Sequence, residues 1–282
     1  MMRLFKAFLY KISRDLTFRI TLIIGAGIAV LMTAIYLGID LLMQAEADGA
    51  LDMKYLTGQS MLVNSMSPVQ NFGIAIPVNL IAFTCLEFSQ GTIRNKIIAG
   101  HSKPKIYVSL FISGLIFTFL LLFAYLGLCT AFGSIFGGFD LNTLVAVGLA
   151  GGYITSLYIW QMILLCIVTY ISIVSFAIFI STVFRSIGPT IPVVMVTLMI
   201  CYVSSTIVAA LTLFGDSGIE GFATFLKIIN PLYALGAGPD FTDEGKAFME
   251  TSTMISGIVN NLVYAAIFFA AGILIFSKRD VK

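Results

Sequence analysis

Side chains able to do acid–base, nucleophilic or metal chemistry are scarce in this chain and poorly spaced for it. There is one histidine, His101, and four cysteines, Cys85, Cys129, Cys166 and Cys201, each alone inside an apolar run. A zinc site wants clustered thiolates and imidazoles, and a Ser-His-Asp triad wants a histidine beside its serine. Neither pattern can be drawn here. The cysteines read as reduced packing residues, and His101 as a solvated loop residue or a pH sensor. No G-x-x-x-x-G-K-[S/T] loop is present to cradle phosphates, and no H-E-x-x-H pattern serves an intramembrane protease. The chain is expected to be no enzyme and to carry no cofactor or metal of its own.

One stretch does have a chemical grammar. From Glu87 to Lys103 the chain reads EFSQGTIRNKIIAGHSK, followed by Pro104 and Lys105. Gly91 is a helix stop, Thr92 to Ala99 can form a short surface helix, and Gly100 ends it. Ile93, Ile97 and Ile98 are predicted to share one face as a ridge, with Arg94 and Lys96 elsewhere. A short basic helix with an apolar ridge suits a groove on a cytoplasmic partner; a plain positive-inside loop is the other reading. Two polar stripes are also visible. Asn71, Ala75, Asn79 and Ala82 fall within roughly 80° of helical arc, and Thr190, Thr197, Cys201 and Ser204 cluster similarly. Such stripes either pack helices together or line a pathway.

These residues must be held by elements that the composition identifies. The 282 residues are 59% apolar and 11% charged, with a mean hydropathy of +1.01. Soluble domains carry about 25% charged residues, so a soluble enzyme, a disordered chain and a nucleic-acid binder are all excluded. Runs long enough to cross a bilayer core of about 30 Å as helix lie at about 20–39, 69–88, 106–132, 160–183, 189–214 and 257–276. The absence of period-2 alternation argues against an outer-membrane barrel. Residues 144–183 are too long for one span. They are either two spans, or one span preceded by an in-plane or re-entrant piece at Leu144–Tyr158, broken at Gly151 and Gly152.

Charge decides between these counts. With six spans and both termini in the cytoplasm, all of the 16 lysines and arginines except Lys54, Lys227 and Lys246 lie inside. All of the 14 acids except Asp15, Glu87 and Asp280 lie outside. A seventh span would move Arg185 and the Lys278-Arg279 tail outside, against the positive-inside rule. No small-residue cleavage site follows the first apolar run, so it reads as an anchor that stays.

Outside the spans, residues 2–19 are predicted to form a basic amphipathic helix lying on the inner leaflet. It is either a topology anchor or a lever that slides during gating. Asp40–Ser67 is expected to be an acidic polar loop. The larger loop 215–256 contains the apolar stretch Phe222–Leu235, too short to cross, which reads as a re-entrant or interfacial element. Pro189 and Pro192, with Gly188, suggest a hinge at the start of span five.

The segment with Glu87, Gly91-Thr92, Arg94-Asn95-Lys96 and Ala99-Gly100 resembles the loop after the second span of ABC-2 type permeases of bacterial ABC exporters. The six spans, the amphipathic N-terminal helix and Asn230-Pro231-Leu232-Tyr233 before the last span are similar to that family too. The chain looks closest to the permeases that export, or give immunity to, antimicrobial and toxic peptides. The resemblance implies an all-α ABC-2 type exporter fold in one transmembrane domain over 1–282, in the cell membrane. It implies that 89–105 is a coupling loop whose helix docks on an ABC ATP-binding subunit, which would carry the ATP and magnesium. Glu87, Gly91, Thr92, Ile93, Arg94, Lys96, Ile97 and Ile98 would form that contact. A second permease chain, identical or a paralogue, would complete the pathway, which Asn71, Ala75, Asn79, Thr190, Thr197 and Ser204 are candidates to line.

The span interiors carry no ionised residue apart from Glu87 at a boundary, which argues against proton- or sodium-driven transport. Uphill transport would need energy from another subunit. An ATP-driven exporter of amphipathic or hydrophobic cargo, above all a peptide, is therefore the leading expectation. A passive channel or sensor subunit without an ATPase, and a lipid-acting membrane enzyme, are the alternatives from other classes.

Overall fold

The computed structural model describes residues 10, 14, 16–46, 55–67, 73, 75–139, 144–147, 150–214, 225–227, 229–236, 240–242 and 245–278. In chain order, α1 is Leu16–Glu46, α2 Gly58–Met66, α3 Ala75–Ser89, α4 Thr92–Ile98 and α5 Lys103–Gly137. A hairpin of β1 (Leu144–Val147) and β2 (Ala150–Ile154) follows, then α6 (Ser156–Phe184) and α7 (Ile187–Phe214). The one-turn α8 (Tyr233–Gly236), β3 (Asp240–Phe241), β4 (Lys246–Phe248) and α9 (Thr251–Lys278) complete the fold.

Five helices are long and apolar enough to cross a membrane: α1 over Leu16–Leu42, α5, α6, α7 over Ile187–Ser205, and α9. In hydrocarbon every backbone polar group must pair internally, and long apolar helices achieve that. Their outward faces stay apolar, with Ile23, Leu31, Val196, Ile200, Val259 and Ile267 all about half exposed or more. The protein is a predominantly helical membrane protein.

The second predicted span, 69–88, differs. Its helix α3 has 15 residues, about 22 Å long, short of a bilayer core. A separate buried helix, α2, precedes it. The break has a local cause. Pro68 disfavours helical backbone at the preceding residue, and Ser67 is extended, at φ −70° and ψ 119°. At its start α2 has a capping box between Thr57 and Ser60. The predicted acidic loop Asp40–Ser67 is therefore corrected in two places. Asp40–Glu46 prolongs α1, and α2 is packed into the bundle. Asp40 accepts the backbone N–H groups of Tyr55 and Leu56, and so fixes the entry to α2.

Leu144–Tyr158 is not a single element and not a seventh crossing helix. Leu144–Val147 and Ala150–Ile154 pair as antiparallel strands, and α6 starts at Ser156 behind the N-cap Thr155, whose Oγ1 accepts from Tyr158 N at 3.1 Å. The sheet order is β1-β2-β4-β3, with β2 parallel to β4 and the outer pairs antiparallel. The all-helical expectation thus needs a small sheet added at one end. Most of the predicted amphipathic helix 2–19 lies outside the described residues, while Leu16–Arg19 already belong to α1.

Neighbouring contacts order the two ends of the bundle. Lys103 Nζ reaches Ser277 O at 3.3 Å, Phe88 meets Phe276, and Cys85 meets Thr190. The end of α3, α4, the start of α5, the α6–α7 turn and the end of α9 therefore share one end. Arg94, Lys96, Lys103, Lys105, Arg185 and Lys278 lie there. Asp40, Asp240, Lys246 and Glu250 lie with the sheet at the other end.

Candidate functional site

The chain leaves α3 through a left-handed glycine. Gly91 has φ 68°, a conformation that costs a side-chain-bearing residue strain, and it caps the seven-residue α4. Gly100, at φ 85°, closes the other end and donates its N–H to Ile97 O at 2.9 Å. Both bounds agree with those expected from the glycines.

The orientation of α4 does not agree with the predicted ridge. Ile93 points inward and is 1% exposed, Ile97 packs partly against the core, and Ile98 is 73% exposed. Successive residues turn by about 100°, so Ile93 and Ile97 face the bundle while Ile98 faces away. The outward surface is instead Arg94 with Ile98, one helical turn apart, flanked by Asn95.

Lys96 is also not on that surface. Its Nζ lies 2.8 Å from Glu87 Oε2, and Glu87 is fully buried. The ion pair spans the Gly91 turn and ties α4 to the last turn of α3. A buried charge pair of this kind contributes orientation more dependably than stability. Gly91 and Thr92 are half-buried at the turn, where they set the angle of α4 and present little surface of their own.

The two polar stripes are only partly brought to open space. Asn71 lies outside the described residues. Ala75 and Asn79 are half-buried, and Asn79 Nδ2 donates to Ala75 O at 2.8 Å within its own helix. Thr190 is fully buried, donates to Ser186 O at 2.7 Å, and meets Cys85 between α3 and α7. Thr190 is thus a packing residue. Thr197 lines a cavity between α6, α7 and α9. Ser204 accepts from Asn230 Nδ2 at 3.0 Å and also borders a shallow apolar groove on α7.

That last contact belongs to an arrangement built on two asparagines. Asn230 Nδ2 also donates to Cys201 O and Ser205 Oγ, both at 2.7 Å, and its Oδ1 accepts from Leu232 N at 2.9 Å. From α9, Asn261 Nδ2 donates to Pro231 O at 2.7 Å and Tyr264 Oη to Ile229 O at 2.7 Å. Residues 229–232 are thereby held between α7 and α9, about 15 Å from the start of α9 at 1.5 Å per residue. Asn261 was legible only as one of two adjacent amides, Asn260 and Asn261, in a mostly apolar span, a signal that does not say which of the two has a structural role.

Fold and site together define a membrane protein with a short cationic helix rigidly mounted at one end. A family described as a protein of unknown function (DUF2705) matches residues 28–282, and the chain belongs to that family. No curated protein and no solved structure matches the chain.

Proposed function

We propose that the chain is the transmembrane permease subunit of an ATP-driven ABC exporter that moves an amphipathic or hydrophobic cargo, foremost a peptide, out of the cell. The observation that carries this reading is α4. A seven-residue helix at the cation-rich end is fixed by a buried ion pair and turns an arginine and an isoleucine outward. That is what a force-transmitting contact with a cytoplasmic subunit requires: a stiff mount and a small mixed apolar and charged surface.

The cation-rich end would be cytoplasmic under the positive-inside rule, with α3 and the buried α2 together completing a sixth crossing. Both termini would then be inside, and the chain multi-pass in the cell membrane. The partners would be an ABC ATP-binding subunit, which carries the ATP and magnesium, and a second permease chain. Arg94 and Ile98 would make the contact, while Glu87, Gly91, Ile93, Lys96 and Ile97 would hold the helix that presents them.

The test is co-purification of the tagged full chain with the proteins encoded beside it, in mild detergent. A roughly 2:2 complex with a Walker-type ATPase supports the reading. A stable particle without an ATPase, intact after gentler extraction, sinks it in favour of a channel or sensor subunit.

A further inference from the structure

Between α7 and α9, over the face of α6, lies a cavity of about 210 Å³ that is not enclosed. Both flanking helices pack on α6 and scarcely touch each other. Buried Ser172 and Ile173 of α6 form the back wall, with half-buried Thr197 and Cys201 of α7 on one side and Tyr264 and Phe268 of α9 on the other. Ile229, Pro231 and Leu232 roof it, held in place by Asn230 and Asn261. Opposite the roof, Phe268 packs against Phe176 and Phe179, with ring centroids 4.9 and 5.6 Å apart. The remaining opening is lateral, between α7 and α9.

That opening lies deep in the bundle. Thr197 is about 15 Å from the start of α7 and Tyr264 about 20 Å from the start of α9, at 1.5 Å per residue. Those two starts are at opposite ends, so the cavity sits near the middle of a hydrocarbon core about 30 Å thick. No aspartate, glutamate, lysine, arginine or histidine lines it. The polar side chains on the walls are largely turned to backbone. Thr197 Oγ1 donates to Val193 O, Tyr264 Oη to Ile229 O, and Asn261 Nδ2 to Pro231 O and Gly257 O. Ser172 and Cys201 add one hydroxyl and one thiol to walls that are otherwise mostly carbon.

Size and surroundings select the occupant. An engineered apolar cavity of roughly 150 Å³ stays dry and binds benzene, so this larger one suits a short hydrocarbon segment better than water. A helix of a second copy, about 10–12 Å across, is too wide to enter. A charged group would find no counter-charge and lose its hydration unaided. The medium at the opening is lipid hydrocarbon, and at mid-bilayer it consists of the ends of acyl chains. Walls facing a void lack partner atoms, and a chain end restores those dispersion contacts. We infer that the cavity is a lipid site: it takes the terminal segment of one phospholipid acyl chain, inserted sideways between α7 and α9, with the headgroup left at the membrane surface. The guest then stands in for the direct packing that α7 and α9 lack. The inference stands whether or not the chain is an exporter.

The experiment uses the full chain in phosphatidylcholine nanodiscs containing a phosphatidylcholine with a diazirine either at the chain end or beside the ester. After photolysis, adducts are mapped by peptide mass spectrometry. Ser172, Ile173 and Leu198 line the cavity and are otherwise buried, so adducts on them report a guest inside, whereas the exposed Ile267 at a similar depth reports bulk lipid. The chain-end probe should label both sets, and the ester-side probe should leave the cavity residues unlabelled. Cys201→Phe, which fills the cavity from its α7 side, should abolish the cavity adducts and leave those on Ile267 unchanged. If that variant misfolds, the wild-type contrast between the two probes decides. Absence of cavity adducts from the chain-end probe, equal cavity labelling by the ester-side probe, or undiminished labelling of a folded Cys201→Phe would overturn the assignment. A diazirine-bearing decane that labels the cavity where the lipid probe does not would give the site to a free hydrocarbon and overturn it too.

Discussion

Lys96 reaches back across the Gly91 turn to Glu87, nine residues earlier, and the two charges meet at 2.8 Å with the carboxylate fully buried. Glu87 sits in the last turn of α3 and Lys96 in the last turn of α4. The pair therefore fixes the angle between a membrane-embedded helix and a surface one. Residues that looked like a binding surface divide into a mount, formed by Glu87, Lys96 and Ile93, and a face, formed by Arg94 and Ile98.

The mount can be tested by a double-mutant cycle. Lys96→Met removes the cation that faces a buried carboxylate and should destabilise the protein, by up to about 3–5 kcal/mol, whereas Glu87→Gln combined with Lys96→Met should recover most of that loss. Thermal unfolding in detergent measures the cycle, and hydrogen exchange at amides 92–98 reports whether α4 loosens. Additive single effects, with unchanged exchange, would mean that the pair does not orient α4.

The face makes a separable prediction. Arg94→Glu and Ile98→Glu should leave the unfolding temperature within error of the wild type, because both side chains are exposed. Under the proposed function each should reduce recovery of an ATPase partner at least tenfold. Ile93→Ala should lower both stability, by about 2–4 kcal/mol, and recovery. Undiminished partner recovery from both glutamate variants would remove α4 from the contact.

What could be read from residues alone follows how local its cause is. The ends of α4 were legible because Gly91 and Gly100 need left-handed backbone and nothing else does so well. The long crossing helices were legible from apolar runs, with ends displaced by a few residues: α9 begins at Thr251, not Gly257, and α5 runs to Gly137, beyond Phe132. The boundary at Pro68 was legible, since the expected span starts just after it, but the buried helix α2 before it was not, because Asn64, Ser65 and Ser67 read as loop residues. The sheet was not legible, since β2 pairs with β4 more than 90 residues later, Tyr153 facing Lys246. The Glu87–Lys96 pair was missed for a similar reason. A helical projection treats α4 as free, and only the reversal at Gly91 brings its lysine over α3.

A close approach between α5 and α9 gives a third prediction. A Cβ at Gly272 would collide with the phenolic ring of Tyr107, which is fully buried and packed between Phe269 and Phe276. The ring cannot retreat without displacing those neighbours. Gly272→Ala should therefore destabilise by about 1–3 kcal/mol, despite alanine's better helix propensity. Tyr107→Phe, which removes a buried hydroxyl that has no partner, should be neutral or stabilising and should partly rescue Gly272→Ala. Thermal melts of the two single variants and the double variant settle the sign.

Asn230 sets the last prediction. Its amide group makes four hydrogen bonds, to Cys201 O, Ser204 Oγ, Ser205 Oγ and Leu232 N, and the residue is 4% exposed. Interhelical hydrogen bonds within membranes are worth about 0.6 kcal/mol each, so the two amide protons of Asn230, shared among three acceptors on α7, should together be worth about 1 kcal/mol. Asn230→Leu keeps the bulk and removes the donors, leaving Leu232 N without its acceptor. Residues 229–232 should then detach from α7, seen as faster hydrogen exchange there, while exchange in α5 and α6 stays unchanged. Asn261 and Tyr264 still hold Pro231 O and Ile229 O from the α9 side. The segment should therefore swing on α9 and not unfold, and adding Asn261→Leu to Asn230→Leu should release it. If the single variant already matched the double in exchange, the two asparagines would act as one unit, and the α9 side could not serve as the pivot.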